Sequence, residues 1–175
     1  MRIISGIYGR RVLKSPSKGD VRPTTDRAKE TLFNILSNKI DFENLVVGDL
    51  FCGSGSLGLE CLSRGSAEIF FVDKKTDNVK KNIEMLGISS GVVIKSEDVL
   101  SFIKKNLEVK FDLIFADPPY SYNNYEELIQ SVMNFKCLFI LEHEYKKILP
   151  ERFSEYIDTE KKLGISKFTI FNFSK

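Results

Sequence analysis

The chain has 175 residues, 42% hydrophobic and 29% charged, which suits one folded domain and is too apolar for a disordered chain. No run approaches the ~18 apolar residues of a membrane span and no apolar leader opens the chain, while three cysteines without a CxxC, beside a single histidine, make neither a disulfide framework nor a zinc set; a cytoplasmic protein without metal is expected. The net charge of +2 hides an asymmetry, a net +6 over residues 1–29 and −4 over the rest, which fits either a polyanion docking at one end or a solvated surface segment.

In chain order, apolar residues on both sides of Gly6 and Gly9 read as a short β-hairpin. Pro16, Gly19 and Pro23 punctuate a loop after it. Thr24 or Thr25 offers an N-cap, and Ala28, Leu32, Ile35 and Leu36 repeat at helical spacing, predicting a helix over 26–37. Strand and helix then alternate: strands over 45–50, 67–72, 91–95, 111–116 and 137–141, helices over 56–64, 75–86, 98–106 and 124–133. Strands apolar at nearly every position suit a parallel sheet covered on both faces. Two antiparallel strands, 153–158 and 166–173, are expected at the end around residues 161–164. No internal repeat or long linker interrupts the chain. A single domain over 1–175 is therefore expected, with a basic arm and loop (1–23) appended to a core (24–175).

Residues 45–58 end a predicted strand in Gly53-Ser-Gly55-Ser-Leu-Gly58, a GxGxxG that opens a predicted helix. Glycine there turns the chain and lets backbone approach a ligand. Twenty residues after Gly53, Asp73 ends the next strand, placed for ribose hydroxyls. Asp49 distinguishes among nucleotide-like ligands. It ends the first strand beside the crevice where doubly wound sheets bind. A carboxylate there repels a pyrophosphate and suits a cation such as S-adenosylmethionine, which carries a sulfonium, an ammonium and a ribose diol. Asp98, after the third strand, can meet an adenine amine, cap a helix, or do both.

The segment Asp117-Pro118-Pro119-Tyr120 ends another buried strand. The prolines fix two φ angles and donate nothing, leaving rigid carbonyl acceptors. Asp117 and the Pro118 carbonyl can accept both N–H bonds of a planar amine, and Tyr120 can stack on its base. Holding both N–H groups favours pyramidalisation, so that the otherwise delocalised lone pair points at a methyl donor.

With these motifs the chain resembles the Rossmann-like S-adenosylmethionine-dependent methyltransferases. Met1–Leu13 followed by Arg22-Pro-Thr-Thr-Asp-Arg27 resembles, within them, the RsmD family of bacterial enzymes that methylate a guanine N2 of 16S rRNA. The resemblance spans essentially the whole chain, including Ile140-Leu-Glu-His143. It implies a mostly parallel seven-stranded sheet with helices on both faces and an N-terminal β-hairpin arm. It implies cofactor contacts from Thr24, Asp49, Phe51, Gly53, Gly55, Asp73, Asp98 and Val99, and target recognition by Asp117, Pro118 and Tyr120. Arg2, Arg10, Arg11 and Arg22 would grip RNA, within the small subunit or an assembly intermediate. A monomer is expected.

His143 is expected to be a sheet-end residue rather than a base, and Cys52 to pack rather than react. None of the cysteines follows a proline, which argues against cytosine-C5 chemistry. Methylation of DNA adenine N6 or protein glutamine is the nearest alternative. The glutamine enzymes usually carry Asn-Pro-Pro-Tyr, and the DNA enzymes an added recognition domain. A nicotinamide oxidoreductase is disfavoured by Asp49, and a non-catalytic RNA-binding module has no use for Asp117 beside a cofactor crevice.

Overall fold

Apolar β-branched runs alternating with amphipathic segments build a layered α/β structure. It is a computed structural model and describes residues 1–14 and 26–174. In chain order it contains α1 (Asp26–Ser37), β1 (Val46–Leu50), α2 (Ser56–Ser63), β2 (Glu68–Asp73) and α3 (Asp77–Leu86). There follow β3 (Val92–Ser96), α4 (Val99–Lys105), β4 (Leu113–Ala116), α5 (Tyr125–Met133) and β5 (Leu138–Glu144). A 3-10 helix (Glu151–Tyr156), β6 (Ile157–Leu163) and β7 (Ser166–Asn172) complete the described chain.

The strands form one sheet in the order β3-β2-β1-β4-β5-β7-β6. β1 to β5 run parallel; β7 is antiparallel to both β5 and β6. Strand order therefore reverses at β1, between β2 and β4, the crevice position expected for a ligand. Alternation along each strand sorts the core. Val47, Phe71, Phe115 and Ile140 pack on one face with Leu32, Phe33 and Leu36 of α1, Leu57 of α2 and Val79 of α3. Leu50, Ile114, Phe139 and Leu141 pack on the other with Phe102 of α4 and Leu128 and Val132 of α5.

Two expectations need correction. The strand expected over 153–158 is a 3-10 helix at Glu151–Tyr156, and β6 starts only at Ile157. Phe153 is pinned in the core at 2% exposure and its N–H bonds the Pro150 carbonyl (3.2 Å), so the chain coils there. The β6 sequence, Ile-Asp-Thr-Glu-Lys-Lys-Leu, is polar because it forms the sheet's edge, where charge discourages further strand pairing.

The N-terminal segment is not appended; it is docked. A bridge between Arg2 and Val12 makes a minimal antiparallel pair, and Ile3 and Leu13 are buried in the main core. Glu60 of α2, fully buried, accepts the N–H groups of Ile4 (2.7 Å) and Ser5 (3.0 Å). Gly6 lies so close to the end of α2 that a Cβ there would stand 1.7 Å from the Ser63 carbonyl oxygen, which only glycine allows.

Candidate active site

The site is assembled at the carboxyl ends of β2, β1, β4 and β5. Register aligns Asp49 with Phe71 and with Phe115, and Phe115 with Ile140. Two residues further along these neighbours come Asp73, Asp117 and Glu142. Since side chains alternate along a strand, four carboxyl groups from four chain segments share one face and one end of the sheet.

Asp49 is buried, and its Oδ2 accepts the Gly58 N–H at 2.9 Å from the first turn of α2. Burial raises its pKa to about 7; the Gly58 N–H opposes the shift and the Asp73 charge adds to it. Gly58 has to be glycine: a Cβ would meet Phe71 at 2.5 Å and Asp49 Oδ2 at 3.0 Å. Asp73 latches the glycine loop, taking the Gly53 N–H on one oxygen (2.9 Å) and the Lys75 N–H on the other (3.0 Å). Each oxygen keeps a lone pair for a ligand.

Asp98 caps α4, accepting N–H groups of Leu100 (3.1 Å) and Ser101 (3.2 Å), and pairs with Lys74 at 3.1 Å. Its slight burial works against ionisation, but the Lys74 bond and charge and the two N–H groups together hold its pKa below the ordinary value. The expected cap is observed, and the carboxylate remains half-exposed for a second role. Val99, the first residue of α4, has its side chain in the core, so it can offer a ligand only backbone. Phe51 leaves β1 at φ 58 and is half-buried, its ring edge-on to Tyr122 at 5.2 Å.

Asp117 follows β4, its N–H bonded to the Leu50 carbonyl (3.3 Å). Burial lifts its carboxyl well above the ordinary range, and the Glu142 and Asp49 charges lift it further. Pro118 is buried and Tyr120 half-exposed. The Pro119 carbonyl closes a turn onto the Tyr122 N–H (2.7 Å), whereas no described residue donates to the Pro118 carbonyl or the Asp117 carboxylate. Among the described residues, two acceptors thus stand uncommitted at the strand end.

Thr24 and Arg22 lie outside the described residues. Arg2 is engaged by Asp26, through its N–H (3.0 Å) and its guanidinium (3.2 Å). Arg10 and Arg11 are exposed and form no ion pair with the described residues. His143 is buried at the end of β5. Its Nδ1 lies 2.9 Å from the Glu144 carbonyl and so carries the proton, while Nε2 pairs with the Thr169 hydroxyl (2.9 Å). Burial depresses its pKa. Cys52 is buried, and burial raises its thiol pKa well above the ordinary value, consistent with packing.

Three participants escape sequence reasoning. Glu142 is buried beside Asp117. The Tyr122 hydroxyl is buried without a hydrogen-bond partner among the described residues, and burial, with Asp98 and Glu127 nearby, pushes its pKa up to about 12. Lys29 is fully buried on α1, 3.2 Å from Glu60, and donates to the Arg2 carbonyl (2.6 Å) and, more weakly, to that of Ser56 (3.4 Å). Burial lowers the Lys29 pKa against the pull of Glu60. Lys29 had a sequence signal: it lies three, four and seven residues before Leu32, Phe33 and Leu36, on the apolar stripe itself.

The family described as "Conserved hypothetical protein 95" matches residues 1–172. A Haemophilus influenzae relative, "Ribosomal RNA small subunit methyltransferase D", is 35% identical over 98% of this chain and 93% of its own length. The Escherichia coli K12 protein of the same name is 34% identical over 86% and 78%. Among solved structures, Escherichia coli yhhF superposes with TM-score 0.78 at 30% identity, covering 98% of this chain and 97% of its own. SMU.776, solved in complex with SAH (S-adenosylhomocysteine), has TM-score 0.67 at 14% identity, covering 82% and 49%, a likeness of fold alone. With the sheet order, these likenesses establish the Rossmann-like methyltransferase fold expected from the sequence.

Proposed function

Because the chain belongs to the RsmD family of small-subunit ribosomal RNA methyltransferases, we propose that it methylates the N2 amine of one guanine in 16S rRNA, with S-adenosylmethionine as donor. The observation that carries this reading is the pair of uncommitted acceptors, the Asp117 carboxylate and the Pro118 carbonyl, beside a crevice rich in carboxyl groups.

The residues fit this cofactor. A glycine at 58 brings backbone up to Asp49, and an anionic crevice favours a ligand with two cationic centres. Asp49 faces the ammonium end and Asp73 the ribose diol. Asp98, Phe51, the Val99 backbone and the orphaned Tyr122 hydroxyl receive the base. Gly53 and Gly55 give the loop its close approach. When bound, the cofactor supplies an electrophilic methyl group. Asp117 and Pro118 accept the two amine N–H bonds, which aims the nitrogen lone pair and stabilises positive charge developing on it. Asp117, or water, takes the proton released after transfer. Tyr120 stacks on a guanine rotated out of its helix. Arg10 and Arg11, with Arg2 beside Asp26, hold rRNA phosphates along the hairpin, and hairpin and body act as one domain.

The test is methyl incorporation into small ribosomal subunits followed by nucleoside analysis. The wild type should yield N2-methylguanosine. Asp117→Ala should lower the rate about 10²-fold or more, the cost of one preorganised electrostatic group, with SAH affinity near wild type. Asp117→Asn, which keeps one acceptor, should fall between them. Wild-type turnover in Asp117→Ala would overturn the mechanism, and a different methylated nucleoside would overturn the substrate.

A further inference from the structure

The end of the sheet beyond Tyr120 carries an exposed aromatic and basic surface that the arm-based picture of RNA binding leaves unused. Tyr120, Tyr145 and Ile165 are 49%, 46% and 51% exposed. They form one continuous rim. The Tyr120 hydroxyl lies 3.3 Å from the Ser166 hydroxyl at the start of β7, and the Tyr145 N–H donates to the Ile165 carbonyl at 2.8 Å.

Two lysines of this rim lie on aromatic rings. Lys162 rests its ammonium 3.5 Å from the centre of the Tyr145 ring, and Lys147 lies 5.0 Å from that of Tyr125. Lys146 is exposed, and none of these three lysines forms an ion pair with a described carboxylate, whereas the neighbouring Lys167 does so, with Glu160. These cations, without an ion pair among the described residues or laid on aromatic faces, stand next to Tyr120.

We propose that this rim, formed by Tyr145, Ile165, Lys146 and Lys162, binds the single-stranded RNA flanking the methylated nucleotide. The inference rests on the reading that the substrate is rRNA. A base withdrawn from its stack to reach Asp117 pulls its neighbours toward Tyr120. Tyr145 offers them the ring face opposite Lys162, and the lysines lie within reach of the backbone phosphates. Uncompensated lysines are what a nucleic-acid surface requires. A protein partner is disfavoured because lysine is depleted from protein–protein interfaces.

The test compares wild type with the double variant Lys146→Gln, Lys162→Gln, and Tyr145→Ala with Tyr145→Phe. All replaced side chains are exposed, and a thermal melt checks the fold. Binding to a small-subunit rRNA transcript is measured against salt, and KM on assembled small subunits. The double variant should flatten the slope of log affinity against log salt by about 0.7 for each phosphate no longer neutralised, roughly 1.4 in all, with SAH affinity unchanged. Tyr145→Ala should raise KM about fivefold or more, the lower end of one stacked base, and Tyr145→Phe should not. An unchanged slope and KM in the presence of wild-type methylation would overturn the rim while sparing the proposed function. Absence of rRNA methylation by the wild type would instead overturn the function. A defect seen only on assembled subunits, with transcript binding intact, would assign the rim to a ribosomal protein and overturn the RNA proposal.

Discussion

Asp73 does two things with one carboxylate, and they can be separated by mutation. Its oxygens hold the glycine loop through the Gly53 and Lys75 N–H groups, and in the proposed function they also accept the ribose diol. Hydrogen bonds to a charged group contribute roughly 1.5–3 kcal/mol each. Asp73→Ala should therefore lower SAH affinity at least about tenfold, with the fold retained. Asp73→Asn keeps one acceptor and should lose less. Calorimetry with SAH, beside melts of the ligand-free proteins, checks both; unchanged affinity in the alanine variant would remove Asp73 from the ligand set. The residue was legible because strand-end carboxylates follow from strand boundaries, and the same is true of Asp49, Asp98 and Asp117. Glu142 and Tyr122 were not legible. Glu142 becomes part of the site only through the β4–β5 register, and the Tyr122 hydroxyl is buried only because Phe51 and Tyr125 fold around its ring.

At the scale of elements, α1 illustrates how periodicity can succeed while its face is misread. The helix forms at 26–37 as its spacing predicts, yet the buried stripe is Lys29, Leu32, Phe33 and Leu36, with Ala28 and Ile35 only half-buried. The stripe turns toward Lys29 because Glu60 waits on α2, where it also binds the hairpin N–H groups and Arg64 (2.9 Å). A buried ion pair cannot be read from either helix alone, nor can docking of the hairpin, which depends on that same Glu60. Lys29→Ala leaves the buried carboxylate with Arg64 as its remaining cation and should destabilise the fold by about 3 kcal/mol, the lower end for a broken buried pair. The double variant Lys29→Met, Glu60→Gln should recover part of that loss. Denaturant midpoints give the energies, and faster hydrogen exchange at Ile4 and Ser5 in the alanine variant would identify the freed hairpin. A midpoint equal to wild type would mean the pair contributes nothing to holding the arm.

Across the whole molecule, the parallel core was legible because its strands are continuously apolar, and the β6 edge was not because its polar sequence reads as a turn. That core converges four carboxyl groups from segments nearly a hundred residues apart, and their proximity sets a conflict between stability and binding. The folded chain holds the Asp49 proton more tightly than the unfolded chain, its pKa being raised from 3.8 to about 7. The stability it contributes is then fully present below about pH 4 and is lost as pH rises through about 7. A cationic ligand reverses the preference by favouring the carboxylate. S-adenosylmethionine affinity should accordingly rise roughly tenfold between pH 5.5 and 7, below the range of about 7.7–8.0 where an α-amino group titrates. Binding near pH 6 should release close to one proton, measurable by calorimetry in buffers of different ionisation enthalpy. Asp49→Asn has no such proton, so it should bind weakly with a flattened pH profile and be the more stable protein at pH 8. If Asp49→Asn kept the wild-type slope, the linked proton would belong to another carboxyl group of the cluster, with Asp117 the first to examine.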